Sequence, residues 1–284
     1  MRIFLTGANG FIGGAVASAL IADGHSVRGL VRSEEKAALV RARGVEPVIG
    51  SLDDRDLLEH EARQADGVVN AADSDHRGAA EALIAGLAGT GKALVHTSGS
   101  SIISDEAMGE PSERIFYEDT PIDPLPDKAA RVAIDRLVLN APGVRSAVLC
   151  NTMIYGDGAF AKQAGSGAPF VYVGRGLNRW SNAHIDDVAA LYVLAVKAAP
   201  AGSFIYVESG EAALGDVIKS MAKRLGLGEP QSLPADQAVA LLGRELAVFG
   251  LGSNSRVRGA LATQILGWTP THHSITDWIE KTAA

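Results

Sequence analysis

Six short apolar runs, each separated from the next by a helix-length stretch, constrain most strongly what this chain of 284 residues can fold into. They are "RIFLTG" (2–7), "SVRGLVR" (26–32), "EPVIG" (46–50), "DGVVNAA" (66–72), "ALVHTSG" (93–99) and "RSAVLCN" (145–151), each bounded by Gly, Asp or Asn. Helical patterns lie between them near 12–22, 33–43, 54–63, 76–90 and 127–140. Strands that are apolar throughout, rather than alternately polar, belong to a sheet covered on both faces. Alternation with helices makes that sheet parallel, with right-handed crossovers. The expected fold class is α/β, a doubly wound parallel sheet of the Rossmann kind. Gly24 in "DGH" and Gly143 in "APGV" stand where a helix ends in a left-handed residue.

After Asn151 the alternation weakens. "HIDDVAALYVLAVKAAP" (184–200) has the spacing of a helix and "SFIYVES" (203–209) that of a strand able to rejoin the main sheet. Residues 156–182 and 210–284 are mixed, with "GEPQSLP" (228–234) expected as a loop. The division that follows is a nucleotide-binding unit over 1–155, rejoined by about 184–208, and a smaller, mixed substrate-binding part over 156–284.

Composition narrows the function. The net charge is -7 and no Lys/Arg cluster stands out, so a nucleic-acid partner has no electrostatic footprint. No apolar stretch approaches the roughly 18 residues that span a bilayer, and Met1 runs straight into a strand rather than a secretory signal. Cys150 is the only cysteine, which excludes an internal disulfide and a multi-thiolate metal site. The expectation is a cytoplasmic protein acting on a small-molecule substrate, with no metal, no membrane and no nucleic acid, and with a homodimer left open.

"TGANGFIGG" (6–14) closes the first strand and opens the first helix. Gly7, Gly10 and Gly13, with Asn9 in the same turn, let the backbone approach a diphosphate and present helix N–H groups to it. At the end of the second strand, an NAD site places an acid for the ribose 2′-hydroxyl. Arg32 and Ser33 stand there instead, able to hold a 2′-phosphate. NADP is the preferred cofactor and NAD the alternative, since Glu34 and Glu35 follow closely.

With "VHTSG" (95–99), "MIYGDG" (153–158), "HIDDVA" (184–189) and "LGWTP" (266–270) in order behind "TGANGFIG", the chain resembles an extended or atypical short-chain dehydrogenase/reductase of the NAD-dependent epimerase/dehydratase family. The resemblance implies that Gly7, Gly10, Phe11, Ile12 and Gly13 bind pyrophosphate and that Ser51 and Leu52 flank adenine. It also implies that Ala71 and Ala72 line the ribose side and that Thr97 and Ser98 approach the nicotinamide.

One family feature is missing. The family's catalytic helix carries Tyr and, four residues on, Lys, whose charge lowers the Tyr pKa toward neutrality. In "DKAARVAID" (127–135) these positions hold Asp127 and Arg131. Arg131 can still hold a nicotinamide ribose, although a guanidinium does not give up a proton near neutral pH. The plainer expectation for this helix is a buried stripe of Ala130, Ala133, Ile134, Leu137 and Val138, with Asp127, Arg131 and Asp135 as a solvated charge ladder. Gly99 falls at or beside the position that polarises the substrate oxygen, where Ser98 or Ser100 can substitute.

Tyr117 or Glu118, in the long segment 102–126, is the candidate proton donor, on the expectation that this segment covers the nicotinamide. Asn178, Arg179, Trp180 and Asn182 are expected near the substrate mouth, and Arg256 and Arg258 offer an anion site. Asp186 and Asp187 suit a helix cap or first turn, and His96 and His184 suit packed positions. Three functions fit: an NAD(P)-dependent oxidoreductase of a small carbonyl, alcohol or sugar-like substrate, without the usual Tyr–Lys pair; a non-catalytic NADP-binding sensor or regulatory protein; and a nucleotide-sugar epimerase or dehydratase.

Overall fold

A computed structural model describes residues 1–159 and 170–281. Residues 160–169 and 282–284 of the smaller part lie outside the described residues. Strands β1 (Arg2–Thr6), β2 (Ser26–Val31), β3 (Glu46–Ile49), β4 (Gly67–Asn70), β5 (Ala93–Gly99) and β6 (Arg145–Asn151) coincide with the six apolar runs. Helices α1 (Phe11–Ala22), α2 (Glu34–Arg41), α3 (Arg55–Gln64), α4 (Arg77–Leu87) and α5 (Pro126–Leu139) connect them. All pair in parallel, and β10 (Ser203–Val207) adds to β6 as a seventh strand, giving the order β10-β6-β5-β4-β1-β2-β3. The chain therefore winds outward from β1 in both directions.

Successive side chains of a strand point to opposite faces, and each face has its own core. Ile3 and Leu5 pack with Val16 and Leu20 of α1 and with Val188, Leu191 and Tyr192 of α6 (Ile185–Ala198). Phe4 packs on the other face with Leu58, Leu83, Ile134 and Val138. Each fully buried side chain of this size contributes about 1.5–3 kcal/mol. Gly24 and Gly143 both take positive φ, at 84° and 64°.

The smaller part begins with β7 (Met153–Tyr155), β8 (Val171–Val173) and β9 (Arg179–His184), and continues after β10 with β11 (Gly210–Ala213), α7 (Leu214–Arg224), β12 (Gln231–Leu233), α8 (Ala235–Arg244), α9 (Leu261–Leu266) and α10 (Ile275–Lys281). Strand β9 pairs antiparallel with β11 and parallel with β7, and β12 pairs with β8. The stretch 228–234, expected as a loop, therefore contains a short strand, because Gln231–Leu233 finds a backbone partner in β8 that no local pattern announces. Tyr155, Phe170, Val217, Ile218, Ile275 and Ile279 form a separate apolar cluster beneath it. Among the described residues no helix is long and apolar enough to cross a membrane.

Candidate cofactor cleft and catalytic helix

The turn after β1 has no room for side chains. Gly7 takes φ +72°, and a Cβ on it would lie 2.5 Å from the Ala71 carbonyl oxygen. A Cβ on Gly13 would lie 2.1 Å from the Gly7 oxygen. The Gly10 amide donates to that oxygen at 2.8 Å, closing the turn. No acidic side chain stands in the first turn of α1 and no side chain caps it. Its leading N–H groups, which lack intrahelical acceptors, are left for an anion. A nicotinamide dinucleotide fits this cradle through its diphosphate.

The turn opens into a cleft of about 520 Å³. Gly7, Asn9 and Gly10 line one end, Leu30, Val31 and Arg32 the end of β2, Ser51 and Leu52 the end of β3, and Ala71 and Ala72 the end of β4. Asp53, Asp73 and His76, not singled out by the sequence, complete the lining, and His76 Nε2 lies 3.1 Å from Asp53. Phe11 lies instead against a second cleft on the other side of the loop, with His184 and Asp186. Ile12 and Gly13 are outside the first cleft's lining: Gly13 lies against Gly7 of the turn and Ile12 packs against the core.

Arg32 lies exposed in the cleft lining, and the two neighbouring carboxylates have other partners: Glu34 accepts from Arg41 at 2.7 Å and Glu35 from Lys36 at 3.4 Å. Ser33 has a different job. Its Oγ accepts the Lys36 amide at 3.3 Å and caps α2, and it is absent from the cleft lining. Thr97 is buried against Tyr192, hydroxyl to hydroxyl at 2.7 Å, on the α6 face of the sheet.

Helix α5 departs from the expected charge ladder. Ala130 and Ala133 are exposed, while Lys128, Val132, Ile134, Asp135 and Val138 are buried. The three charges go to three different partners. Asp127, expected at the family's Tyr position, accepts from Arg244 at 3.3 Å. Arg131, expected at the Lys position, donates from Nε to Asp75 Oδ1 at 2.8 Å, from Nη2 to Asp75 Oδ2, and from Nη1 to Ser101 Oγ at 3.2 Å. Asp135 turns inward and accepts from Ser98 Oγ at 2.7 Å. The gain from burial scales with apolar area and is small for an alanine methyl, so the helix rotates to seat Val132 and to give each charge a cross-chain partner. Lys128 is 4% exposed, paired with Glu245, its Nζ 4.4 Å from the centre of the Phe249 ring.

Ser98 heads a buried polar chain. Asp135 Oδ1 faces His96 Nε2 at 3.7 Å, His96 Nδ1 lies 3.0 Å from Asn70 Nδ2, and Thr6 Oγ1 donates to Asn70 Oδ1 at 2.6 Å. Burial pushes the Asp135 carboxyl up to about 6 despite the Ser98 hydrogen bond and the Arg131 charge. Burial, with the Arg131 charge, brings His96 down to about 4. Asn70, at the end of β4, and Asp75 and Ser101, in the turns after β4 and β5, carry no further sequence signal.

The remaining candidates serve largely to join the two parts of the molecule. Tyr117 is half-exposed in a separate cleft with Ala260, Leu261 and Gln264, and Glu118 accepts the Ala260 and Leu261 amides at 3.3 Å. Among the described residues, none of their hydrogen bonds reaches Ser98 or Arg131. Asn178 donates to the Ser253 carbonyl at 2.6 Å and Trp180 Nε1 to the same oxygen at 2.8 Å. Asn182 is fully buried. Arg256 and Arg258 converge with Arg179 on Glu211, at 3.0, 3.1 and 2.6 Å. Burial would raise that carboxyl, but the three guanidinium groups hold it at about 2. Asp187 accepts from the Thr271 and His272 amides at 3.0 and 2.9 Å, pinning the C-terminal segment rather than capping its own helix. His184 supplies that cap, accepting the Asp186 amide at 3.3 Å, and stacks on His272 with ring centres 3.8 Å apart.

A doubly wound sheet with a bare-glycine turn and a cleft across β1, β2 and β4 defines a protein of the nicotinamide-dinucleotide-binding class. Residues 3–207 match the family model described as "NAD dependent epimerase/dehydratase family", and the chain belongs to that family. An uncharacterised protein of Schizosaccharomyces pombe is 36% identical, with 97% of each chain covered. A 4-hydroxy-2-methyl-3-oxo-4-farnesyl-3,4-dihydroquinoline-1-oxide ketoreductase of Stigmatella aurantiaca is 31% identical over 74% of this chain and 69% of its own. In fold, the chain resembles a UDP-glucose 4-epimerase of Thermotoga maritima, with TM-score 0.78 at 19% identity, covering 100% of this chain and 97% of that one.

Proposed function

We propose that the chain is an NADP-linked oxidoreductase that acts on a small carbonyl or alcohol without the Tyr–Lys pair, in a cytoplasmic setting. The observation that carries this reading is Arg32, at the end of β2 in the cleft lining, with both following carboxylates engaged elsewhere. A guanidinium there forms a bidentate pair with a 2′-phosphate. Asp53 and Asp73 line the same cleft after β3 and β4, and Asp53 accepts from His76 at 3.1 Å if the ring carries its proton on Nε2.

In this reading the glycine turn receives the diphosphate on its amides, Leu30 and Leu52 enclose adenine, and Ala71 and Ala72 let the ribose lie flat against β4. The bound cofactor supplies hydride. Arg131, oriented by Asp75, donates hydrogen bonds at the far end without giving up a proton. Support for redox chemistry comes from the family and from the ketoreductase named above. A sensor without catalysis is the second reading, favoured by Asp127, which fills the Tyr position and is tied to Arg244. Following NADPH fluorescence across a screen of aldehydes, ketones and quinones separates the two. Consumption of NADPH supports the enzyme, and tight binding without consumption across the whole screen supports the sensor.

A further inference from the structure

The guanidinium of Arg131 is fixed but not fully used. Of its five N–H bonds, two go to Asp75 and one to Ser101, which leaves one on Nη1 and one on Nη2. Asp75 lies two residues beyond Asp73 of the cleft lining, so the pair stands where the cleft runs past β4 toward β5. There Gly99 ends β5 with extended backbone, φ -140° and ψ 139°. Nothing about that conformation requires glycine. A methyl group at Gly99 would lie 3.6 Å from Arg131 Nη1 and 4.0 Å from the Asn151 carbonyl oxygen, both ordinary contacts. What glycine does there is leave a space beside a permanently charged donor.

We propose that this space seats the substrate oxygen, that Arg131 Nη1 receives its developing negative charge, and that the substrate is a conjugated carbonyl acceptor such as a quinone or an enone. The proposal rests on the reading of the chain as a nicotinamide-linked reductase. Its chemical ground is the kind of donor present. A guanidinium stabilises an oxyanion but does not protonate it near neutral pH. Reduction of a simple ketone makes an alkoxide, about as basic as hydroxide, whose parent water has a pKa of roughly 16. Hydride addition to the conjugated carbon of an enone or a 1,4-quinone makes an enolate instead, whose oxygen is closer in basicity to a phenolate, and a phenol has a pKa of roughly 10. Only this second product can form with its charge facing Arg131 and collect its proton from water after release, the quinone product then tautomerising in water to the hydroquinone.

The step balances. A C–H bond forms between the transferred hydride and the acceptor carbon, and the conjugated π pair moves onto oxygen opposite Nη1. The substrate gains two electrons, the dihydronicotinamide loses them, and water supplies the proton after release. Asp75 is a positioning residue in this scheme.

Three measurements on wild type and Gly99→Ala test it. Calorimetry with NADPH is expected to give the same affinity for both proteins; no binding to wild type defeats the cofactor reading itself, separately from this proposal. Acetate, an oxyanion probe, is titrated into the NADP-bound proteins while the Gly99 amide and Arg131 guanidinium resonances are followed by NMR. It is expected to shift both in wild type and to bind about tenfold or more weakly to Gly99→Ala. No shift, or equal affinity in the two proteins, overturns the proposal. NADPH oxidation is then compared for 1,4-naphthoquinone, 2-methyl-1,4-naphthoquinone, cyclohexenone and cyclohexanone. Turnover of at least one conjugated acceptor is expected, with kcat/KM about a hundredfold above cyclohexanone and about tenfold lower in Gly99→Ala. Cyclohexanone matching the conjugated acceptors, all four being refused, or an undiminished Gly99→Ala contradicts it.

Discussion

Ser98 donates a 2.7 Å hydrogen bond to Asp135 in the interior, and that contact ties α5 to the end of β5. With Asp135 facing β5, Arg131 one turn earlier points over the end of the same strand, where it meets Asp75. Arg131 is thereby held by Asp75 and Ser101.

The Asp135 and His96 shifts predict a pH signature. Asp135 is raised to about 6 by burial, so the folded state holds its proton between roughly pH 4 and 6 while the unfolded chain has lost it. Its contribution to stability falls as pH rises through that window. His96 is lowered to about 4, so the unfolded chain binds the extra proton between roughly pH 4 and 6.5, and its contribution rises with pH. The two slopes oppose each other. In Asp135→Asn, denaturant unfolding is expected to show stability rising from pH 4 to 6.5 more steeply than in wild type. In His96→Gln it is expected to fall over the same range. The full excursion is about 3 kcal/mol for each group. Identical pH profiles for the two variants would contradict the assignment.

Replacing Gly13 by Ala puts a Cβ 2.1 Å from the Gly7 carbonyl oxygen, which backbone cannot absorb without opening the turn. Dinucleotide affinity is expected to fall tenfold or more, about 1.4 kcal/mol, with circular dichroism near that of wild type. Undiminished binding would show that the diphosphate sits elsewhere.

Asp187 holds the segment after α9 through Thr271 and His272, with 2.9 Å contacts to both the amide and Nδ1 of His272. Asp187→Ala leaves those donors without their acceptor and is expected to cost about 2–4 kcal/mol in thermal or denaturant unfolding. Limited proteolysis should then cut first beyond residue 266. A stability loss under about 0.5 kcal/mol would indicate that Asp187 is a surface residue.

The sheet and its glycine turn were legible because apolar runs of strand length can hardly fold otherwise beside helices of matching length. The facing of α5 was not. Ala130 and Ala133 suit either side of a helix, and the partners that decide its rotation, Ser98 and Asp75, are 37 and 56 positions distant from theirs along the chain. The same holds for Arg256 and Arg258. Their pattern invites an anion, but Glu211 folds in from β11 to take that place. Ser33 shows the local form of the ambiguity, since one hydroxyl suits a phosphate or a helix cap and the cap is nearer.

The most direct test of the cofactor assignment is calorimetry of NADPH and NADH against wild type and Arg32→Ala. NADPH is expected to bind wild type about tenfold or more tightly than NADH, and Arg32→Ala is expected to abolish that preference by weakening NADPH alone. Equal affinities in wild type, or a preference that survives the loss of Arg32, would contradict it.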